Sequence, residues 1–211
     1  MKVSYSTIHK PHRCASGNKS RPVLQTVFVD PEGWLVAADG YMLSAVPCVI
    51  TDAPEGFKGA CIPASFLALV DHVAGGKAAT VEMDIEGWLV KAVIAGKTLA
   101  CTAYDTPEAF PAWRMSITAK PRAEGATAPI LSFSPRLLAA VADAIGCGEL
   151  GKELPHLTIV QTGGPHDPLL VLGVDRAFGL LMPVYANEAA TREAVARILA
   201  MATPAPAAVP S

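Results

Sequence analysis

Apolar and polar residues alternate with the period of a β-strand over much of the chain, and shorter runs of helical period interrupt them. Val23 to Val29, a turn at Asp30-Pro31-Glu32-Gly33, and Trp34 to Ala38 predict a hairpin. Asp39-Gly40 follows as a tight-turn pair, with Gly supplying positive φ and Asp accepting backbone N–H groups, and Leu43 to Val46 leaves it as another strand. Pro54 to Gly59 reads as a loop and Ala60-Cys61-Ile62 as a short strand. Pro63-Ala64-Ser65 then opens a helix through about Val73, with Phe66, Leu67, Leu69, Val70 and Val73 on its apolar face and Gly75-Gly76 as its stop. A meander comes next: Thr80 to Ile85, Trp88 to Ile94 and Thr98 to Tyr104, broken by turn residues at Glu86-Gly87 and Ala95-Gly96-Lys97. Phe110-Pro111-Ala112-Trp113 closes this unit.

Residues 118–129 are rich in Pro, Gly, Ala, Lys and Arg and read as a linker. After it Ile130 to Phe133 predicts a strand, and Ser134 and Pro135 start a helix. Leu137, Leu138, Val141 and Ile145 mark that helix at 3.6-residue spacing up to Gly146. Leu157 to Gln161, Pro168 to Gly173 and Phe178 to Val184 predict three more strands. A strand, a Pro-opened helix and three strands therefore occur at 60–104 and again at 130–184, an internal repeat. The first 47 residues form a partial further copy whose helix is short or missing. The predicted class is α+β with antiparallel sheets. Its organisation is 1–117, a linker at 118–129, 130–187, and a C-terminal 188–211 with a helix over Glu188 to Met201 and a Pro/Ala tail.

Composition narrows the function classes. With 51% hydrophobic residues among 211, the chain can bury a core, which excludes general disorder. No run approaches the ~20 apolar residues of a membrane helix, and no apolar stretch of signal-peptide type follows Met1, so a cytoplasmic protein is expected. Five scattered cysteines without a Cys-x-x-Cys pair fit reduced, buried thiols. Residues 1–29 hold Lys2, Lys10, Arg13, Lys19 and Arg21 and no acid; the remainder has 12 basic against 19 acidic residues, a net −7. This predicts a basic arm on an acidic body, serving either a polyanionic partner or solubility alone.

Four motifs, in order, resemble a known family: Arg21-Pro22-Val23-Leu24, Ala38-Asp39-Gly40-Tyr41-Met42-Leu43, Phe110-Pro111-Ala112-Trp113, and Leu180-Leu181-Met182-Pro183-Val184. They are similar to the Arg-x-x-Leu, Thr-Asp-Gly-x-Arg-Leu, Phe-Pro-Asp-Tyr and terminal Met-Pro motifs of the bacterial sliding clamp, the β subunit of the replicative DNA polymerase. The likeness covers roughly residues 1–186. It implies the middle clamp domain, with a shortened first helix, joined directly to the second half of the last domain: a shortened clamp of the kind a phage or another mobile element could carry. Ala38 and Met42 depart from the family's Thr and Arg.

The resemblance implies a non-enzymatic processivity factor or scaffold with no cofactor. Its partners would be polymerase or clamp-loader-type proteins, bound through linear peptide motifs, together with double-stranded DNA and further copies of the chain. It places Leu24, Ala38, Gly40, Tyr41, Met42 and Leu43 on one side of a peptide pocket, Leu180, Leu181 and Met182 on the other, and Thr118 at the rim. The bland alternative is that these are core residues at a domain junction. For DNA phosphates the candidates are Lys10, Arg13, Lys19, Arg21, Lys120, Arg122 and Arg136, each with solvated surface charge as its alternative, and Arg21 with an ion pair beside the hairpin. A non-ring adaptor or decoy that binds the same peptides is the first rival. A metal-dependent enzyme using His9, His12 and Cys14, with His156 or His166 as a fourth ligand, is the second. No nucleophile elbow, phosphate loop or dinucleotide fingerprint is present, and Asp39 reads as a turn-capping carboxylate.

Overall fold

The computed structural model describes residues 1–75, 79–104, 109–114, 133–147, 158–161 and 167–183. Twelve strands and two α-helices lie within them. The strands are β1 (Lys2–Ser6), β2 (Thr26–Asp30), β3 (Trp34–Ala38), β4 (Met42–Pro47), β5 (Val49–Thr51), β6 (Ala60–Pro63), β7 (Thr80–Glu86), β8 (Leu89–Ile94), β9 (Lys97–Thr102), β10 (Thr158–Gln161), β11 (Leu169–Leu172) and β12 (Phe178–Leu181). The helices are α1 (Ala64–Ala74) and α2 (Pro135–Ala144). The class is α+β, with one antiparallel sheet ordered β5-β1-β7-β8-β9 and another ordered β10-β11-β12-β4-β3-β2-β6.

The repeat organises the sheets. Unit 1 is β1 with β2–β4, unit 2 is β6, α1 and β7–β9, and unit 3 is α2 with β10–β12. Each of the first two units lends its leading strand to the other: β1 pairs with β7, and β6 pairs with β2. Unit 3 adds its meander to unit 1 edge to edge, with Leu180 opposite Leu43 and Gly179 opposite Ser44.

Local chemistry accounts for the elements. Pro63 stands at the N-cap of α1, and Gly75, at φ 71, ends it in the left-handed conformation that a Cβ disfavours. The helix of unit 1 is reduced to a 3-10 turn, Pro11–Cys14. A second 3-10 turn, Pro22–Gln25, occupies the start of the first predicted strand, because Pro22 cannot donate to a ladder and the Thr26 hydroxyl donates back to the Val23 carbonyl at 2.6 Å. Ser134 precedes α2 without a side-chain capping bond; its carbonyl accepts the Leu138 N–H at 3.0 Å. Residues 130–132 of the strand predicted over Ile130 to Phe133, the linker, and the C-terminal helix and tail lie outside the described residues. Among the described residues no helix is long and apolar enough to cross a membrane.

Strand alternation splits the core. Val27, Val29, Leu35, Ala37, Val46 and Leu181 face inward with both helices and the five-stranded sheet. Phe28, Val36, Ala38, Leu43, Ala45 and Leu180 face the other way, where Phe110 and Trp113 cover them.

The N-terminal segment is not an arm. β1 lies between β5 and β7 in its sheet. Lys10 is buried, its Nζ 3.5 Å from Asp143 on α2, and Arg13 Nε lies 3.1 Å from the same carboxylate. Two of the candidates for DNA phosphates thus pair with Asp143 and hold α2 against unit 1.

His9 and His12 occupy the same joint. Burial lowers the pKa of both, outweighing the pull of Asp175 and the Ile145 backbone bond on His9, and of Asp71 and Asp143 on His12; Arg13 and Lys10 add to the lowering at His12. The folded values lie below the ordinary 6.5, so the unfolded chain takes up protons first as pH falls. Stability is therefore complete above about pH 6.5 and declines below it. The melting temperature is expected to fall by several degrees between pH 7.5 and pH 5.5, and His9→Gln to flatten part of that slope in thermal melts. A wild-type melting temperature that does not move over this range would contradict the buried neutral imidazoles.

Candidate functional site

Asp39 builds the turn between β3 and β4. Its Oδ1 accepts the N–H groups of Tyr41 at 2.7 Å and Met42 at 2.9 Å, and Gly40 sits at φ 99. This turn delivers Tyr41, 68% exposed, and Met42 to the end of the seven-stranded sheet, where the Met182 N–H donates to the Tyr41 carbonyl at 2.8 Å. A pocket of about 240 Å³ opens there. Its floor is Leu24, Ala38, Leu43 and Leu180, and its mouth carries Arg21, Tyr41, Met42 and Met182. Phe110, Pro111 and Trp113 form one wall, joined by Pro168.

The wall is fixed by buried chemistry. Asp30, at the end of β2, accepts two bonds from Arg114 at 2.6 and 2.8 Å and one from Trp113 Nε1 at 3.1 Å. Burial opposes charge on Asp30, yet the Arg114, Glu32 N–H and Trp113 bonds together hold its carboxyl below the ordinary range. The Arg114 guanidinium also lies over the Trp113 ring at 4.3 Å. Phe110 stacks on Phe28 with centroids 5.0 Å apart, and Trp113 meets Trp34 and Phe178. Residues far apart in sequence thus form one aromatic surface beside the pocket.

Of the residues expected at the pocket, Leu24, Ala38, Gly40, Tyr41, Met42, Leu43, Leu180 and Met182 line it. Leu181 does not: successive strand residues point to opposite faces, and Leu181 is fully buried in the inner core. Thr118 lies outside the described residues. Arg21, a candidate for DNA phosphates, borders the pocket. Arg21, Phe110, Pro111, Trp113 and Pro168 complete the lining; the sequence signal for the aromatic pair was the closing motif, which carried no indication of where it would dock.

Of the other basic candidates, Lys19 and Arg136 are exposed, and Lys120 and Arg122 lie outside the described residues. His9, His12 and Cys14 do not converge as ligands. Among the described residues no group of three His, Cys, Asp or Glu side chains is placed to hold a metal, and burial pushes the Cys14 thiol up to about 12, far from a thiolate at neutral pH. His156 and His166 lie outside the described residues.

No protein-family model and no curated protein sequence matches the chain. Solved structures do. A sliding clamp from Bartonella birtlesii, bound to griselimycin, superposes with a TM-score of 0.62 at 14% identity, covering 88% of this chain and 66% of that one. The DNA polymerase III β subunit of Thermotoga maritima gives 0.61 at 11%, covering 88% and 65%. The clamp of Bacillus subtilis gives 0.56 at 17%, covering 88% and 64%. The chain therefore spans just under two thirds of the length of each. With its exchanged leading strands, inward helices and antiparallel meanders, this chain has the fold of the bacterial DNA polymerase sliding clamp.

Proposed function

We propose that the chain is a sliding-clamp-like scaffold for replication or repair, whose pocket docks short linear peptides of polymerase or clamp-loader-type partners. The observation that carries this reading is the pocket itself, assembled at the seam between unit 1, the 109–114 segment and unit 3. It is smaller than the roughly 300–1,000 Å³ that encloses a whole ligand, so it suits anchor side chains with the peptide backbone lying outside. A Leu or Phe anchor entering it is worth about 1.5–3 kcal/mol, and two methionines at the mouth adapt to varied shapes. Arg21 adds a cation beside that mouth.

Met182→Lys tests the reading. Met182 is only partly buried, so the fold tolerates the change, while an ammonium at the apolar mouth disfavours an apolar anchor. Affinity for a synthetic peptide carrying a Leu-Phe anchor pair, read by fluorescence anisotropy, is expected to fall more than tenfold; unchanged affinity in the folded variant refutes the pocket.

Double-stranded DNA, held through phosphates without base reading by an assembly of several copies, belongs to the same reading. The rival is an adaptor that docks peptides and never encircles DNA, and the burial of Lys10 and the pairing of Arg13 favour it. Duplex binding that weakens with salt separates the first from the second, which binds none.

A further inference from the structure

The closing segment at 109–114 covers only part of the outward face of the seven-stranded sheet. Phe110 stacks on Phe28 of β2, and Trp113 reaches Trp34 of β3 and Phe178 of β12. At Phe178 the face carries a second cavity, of about 360 Å³. Leu170 and Leu172 of β11 line it together with Phe178 and with Gly173, Arg176 and Ala177 of the connecting turn. Leu172 is 40% exposed there. An apolar hollow with a charged rim marks an interaction site.

This cavity adjoins the peptide pocket. Register sets Leu170 opposite Leu180 and Leu172 opposite Phe178, so the four side chains share one face in two neighbouring rows. Leu180 belongs to the floor of the first pocket and Leu170 to the lining of the second. Opposed Cβ atoms lie about 5 Å apart and the next row follows at about 7 Å. About two to four residues of extended chain therefore bridge the two cavities.

The turn at the far end is strained. The Ala177 N–H donates to the Val174 carbonyl at 2.8 Å, and both residues between them are left-handed, Asp175 at φ 52 and Arg176 at φ 65. That is the type I′ hairpin turn, whose second central place favours glycine. Here it holds Arg176, whose exposed side chain borders the cavity. Among the described residues no carboxylate pairs with it; the one on Asp175 lies 4.0 Å from Nε2 of the buried His9. An unpaired guanidinium at the end of an apolar track complements an acid that follows a hydrophobe.

We propose that the partner peptide is bipartite: beyond its anchor in the first pocket it places a second apolar side chain in this cavity and an acidic side chain on Arg176. The proposal rests on the peptide reading above and extends it to what the ligand must carry.

Three synthetic peptides test it by fluorescence anisotropy: a short one with the Leu-Phe pair, and two that extend this pair by about three residues to a Leu and a terminal Asp, on the C-terminal or the N-terminal side. One extended peptide is expected to bind wild type about tenfold more tightly than the short one, the ratio one more buried anchor gives. Leu172→Asp, a surface change, is expected to bind the short and extended peptides alike. Arg176→Gly is expected to melt higher than wild type, because glycine relieves the left-handed backbone, and yet to lose a preference of about two- to fivefold for Asp over Asn at the peptide's end. A purely structural Arg176 would show no such preference in the wild type. Equal binding of short and extended peptides by wild type, or a gain that survives Leu172→Asp, overturns the proposal and leaves the first pocket standing. Failure of every peptide to bind overturns both readings. Self-association of the wild type that Leu172→Asp breaks, with no gain from extension, assigns this face to a second copy and likewise overturns the proposal.

Discussion

Asp30→Ala is expected to lower the melting temperature sharply and to weaken peptide binding in the same step. Asp30 is 2% exposed and takes the two guanidinium bonds of Arg114 and the indole bond of Trp113. Removing the carboxylate leaves the buried Trp113 N–H without its acceptor and releases Arg114, which retains Glu32 at 2.9 Å. A buried group left unsatisfied costs about 1–3 kcal/mol, and a hydrogen bond to a charged group contributes about 1.5–3. Arg114 is 43% exposed, so solvent screens part of its attraction, and a total of about 2–4 kcal/mol is the reasonable expectation. For a chain of this size that corresponds to roughly 4–16 °C.

The sign of the pH dependence follows from the same bonds. The folded Asp30 carboxyl lies below its ordinary 3.8, so its contribution is complete above that pH and is lost as pH falls through the folded value. Wild type should therefore show an extra acid-unfolding limb below about pH 4 that Asp30→Ala lacks. Asp30→Asn keeps an acceptor for the Glu32 N–H and should fall between the two. The binding loss arises because Phe110, Pro111 and Trp113 form the pocket wall and Asp30 tethers the segment that bears them. A variant that melts like wild type, or melts early with full peptide affinity, would show that the tether does not set the wall.

The strands, turns and helix starts were legible because each has a local cause. Asp39-Gly40 specified its own turn, Pro63 and Gly75 bounded α1, and alternation marked the meander. The reduced helix of unit 1 was legible too, since Pro11 allows no regular helix through 9–14. Face assignment within a strand is equally local: Leu180, Leu181 and Met182 cannot all look one way, and the period of two removes Leu181 from the pocket. Long-range partners were not legible. Nothing near Lys10 or Arg13 in sequence announces Asp143, which reaches them across 133 residues in the case of Lys10. A count of charge along 1–29 therefore does not distinguish a folded joint from an arm. The closing motif was visible as a motif, but its docking on Phe28, Trp34 and Phe178 depends on tertiary placement of aromatic rings that no local pattern encodes.

Gly179→Ala is expected to produce the other large effect, by pushing α2 off the sheet. Gly179 lies on β12 opposite Ser44, and a Cβ there would overlap the fully buried Val141 side chain on α2 and approach the Leu43 carbonyl at 3.0 Å. Gly173 repeats the arrangement one strand away, where a Cβ would come within 2.6 Å of the Ile145 carbonyl. The helix thus rests directly on backbone at two glycines, a closeness that leaves no room for an added methyl. Overpacking of this kind costs about 1–3 kcal/mol, and the upper part of that range applies because the obstacle is a β-branched side chain with a stiff χ1. Val141→Ala alone leaves a cavity and also costs about 1–3 kcal/mol. If the clash is the cause, the double variant is less destabilised than the sum of the singles, by about 0.5–3 kcal/mol in a thermal or denaturant cycle. Additivity within about 0.5 kcal/mol would mean that α2 does not lie where the structure puts it. The same cycle read by peptide affinity is informative, because β12 carries Gly179 towards α2 and Leu180 into the pocket: lifting α2 should loosen the strand that presents the anchor site, and Val141→Ala should restore both.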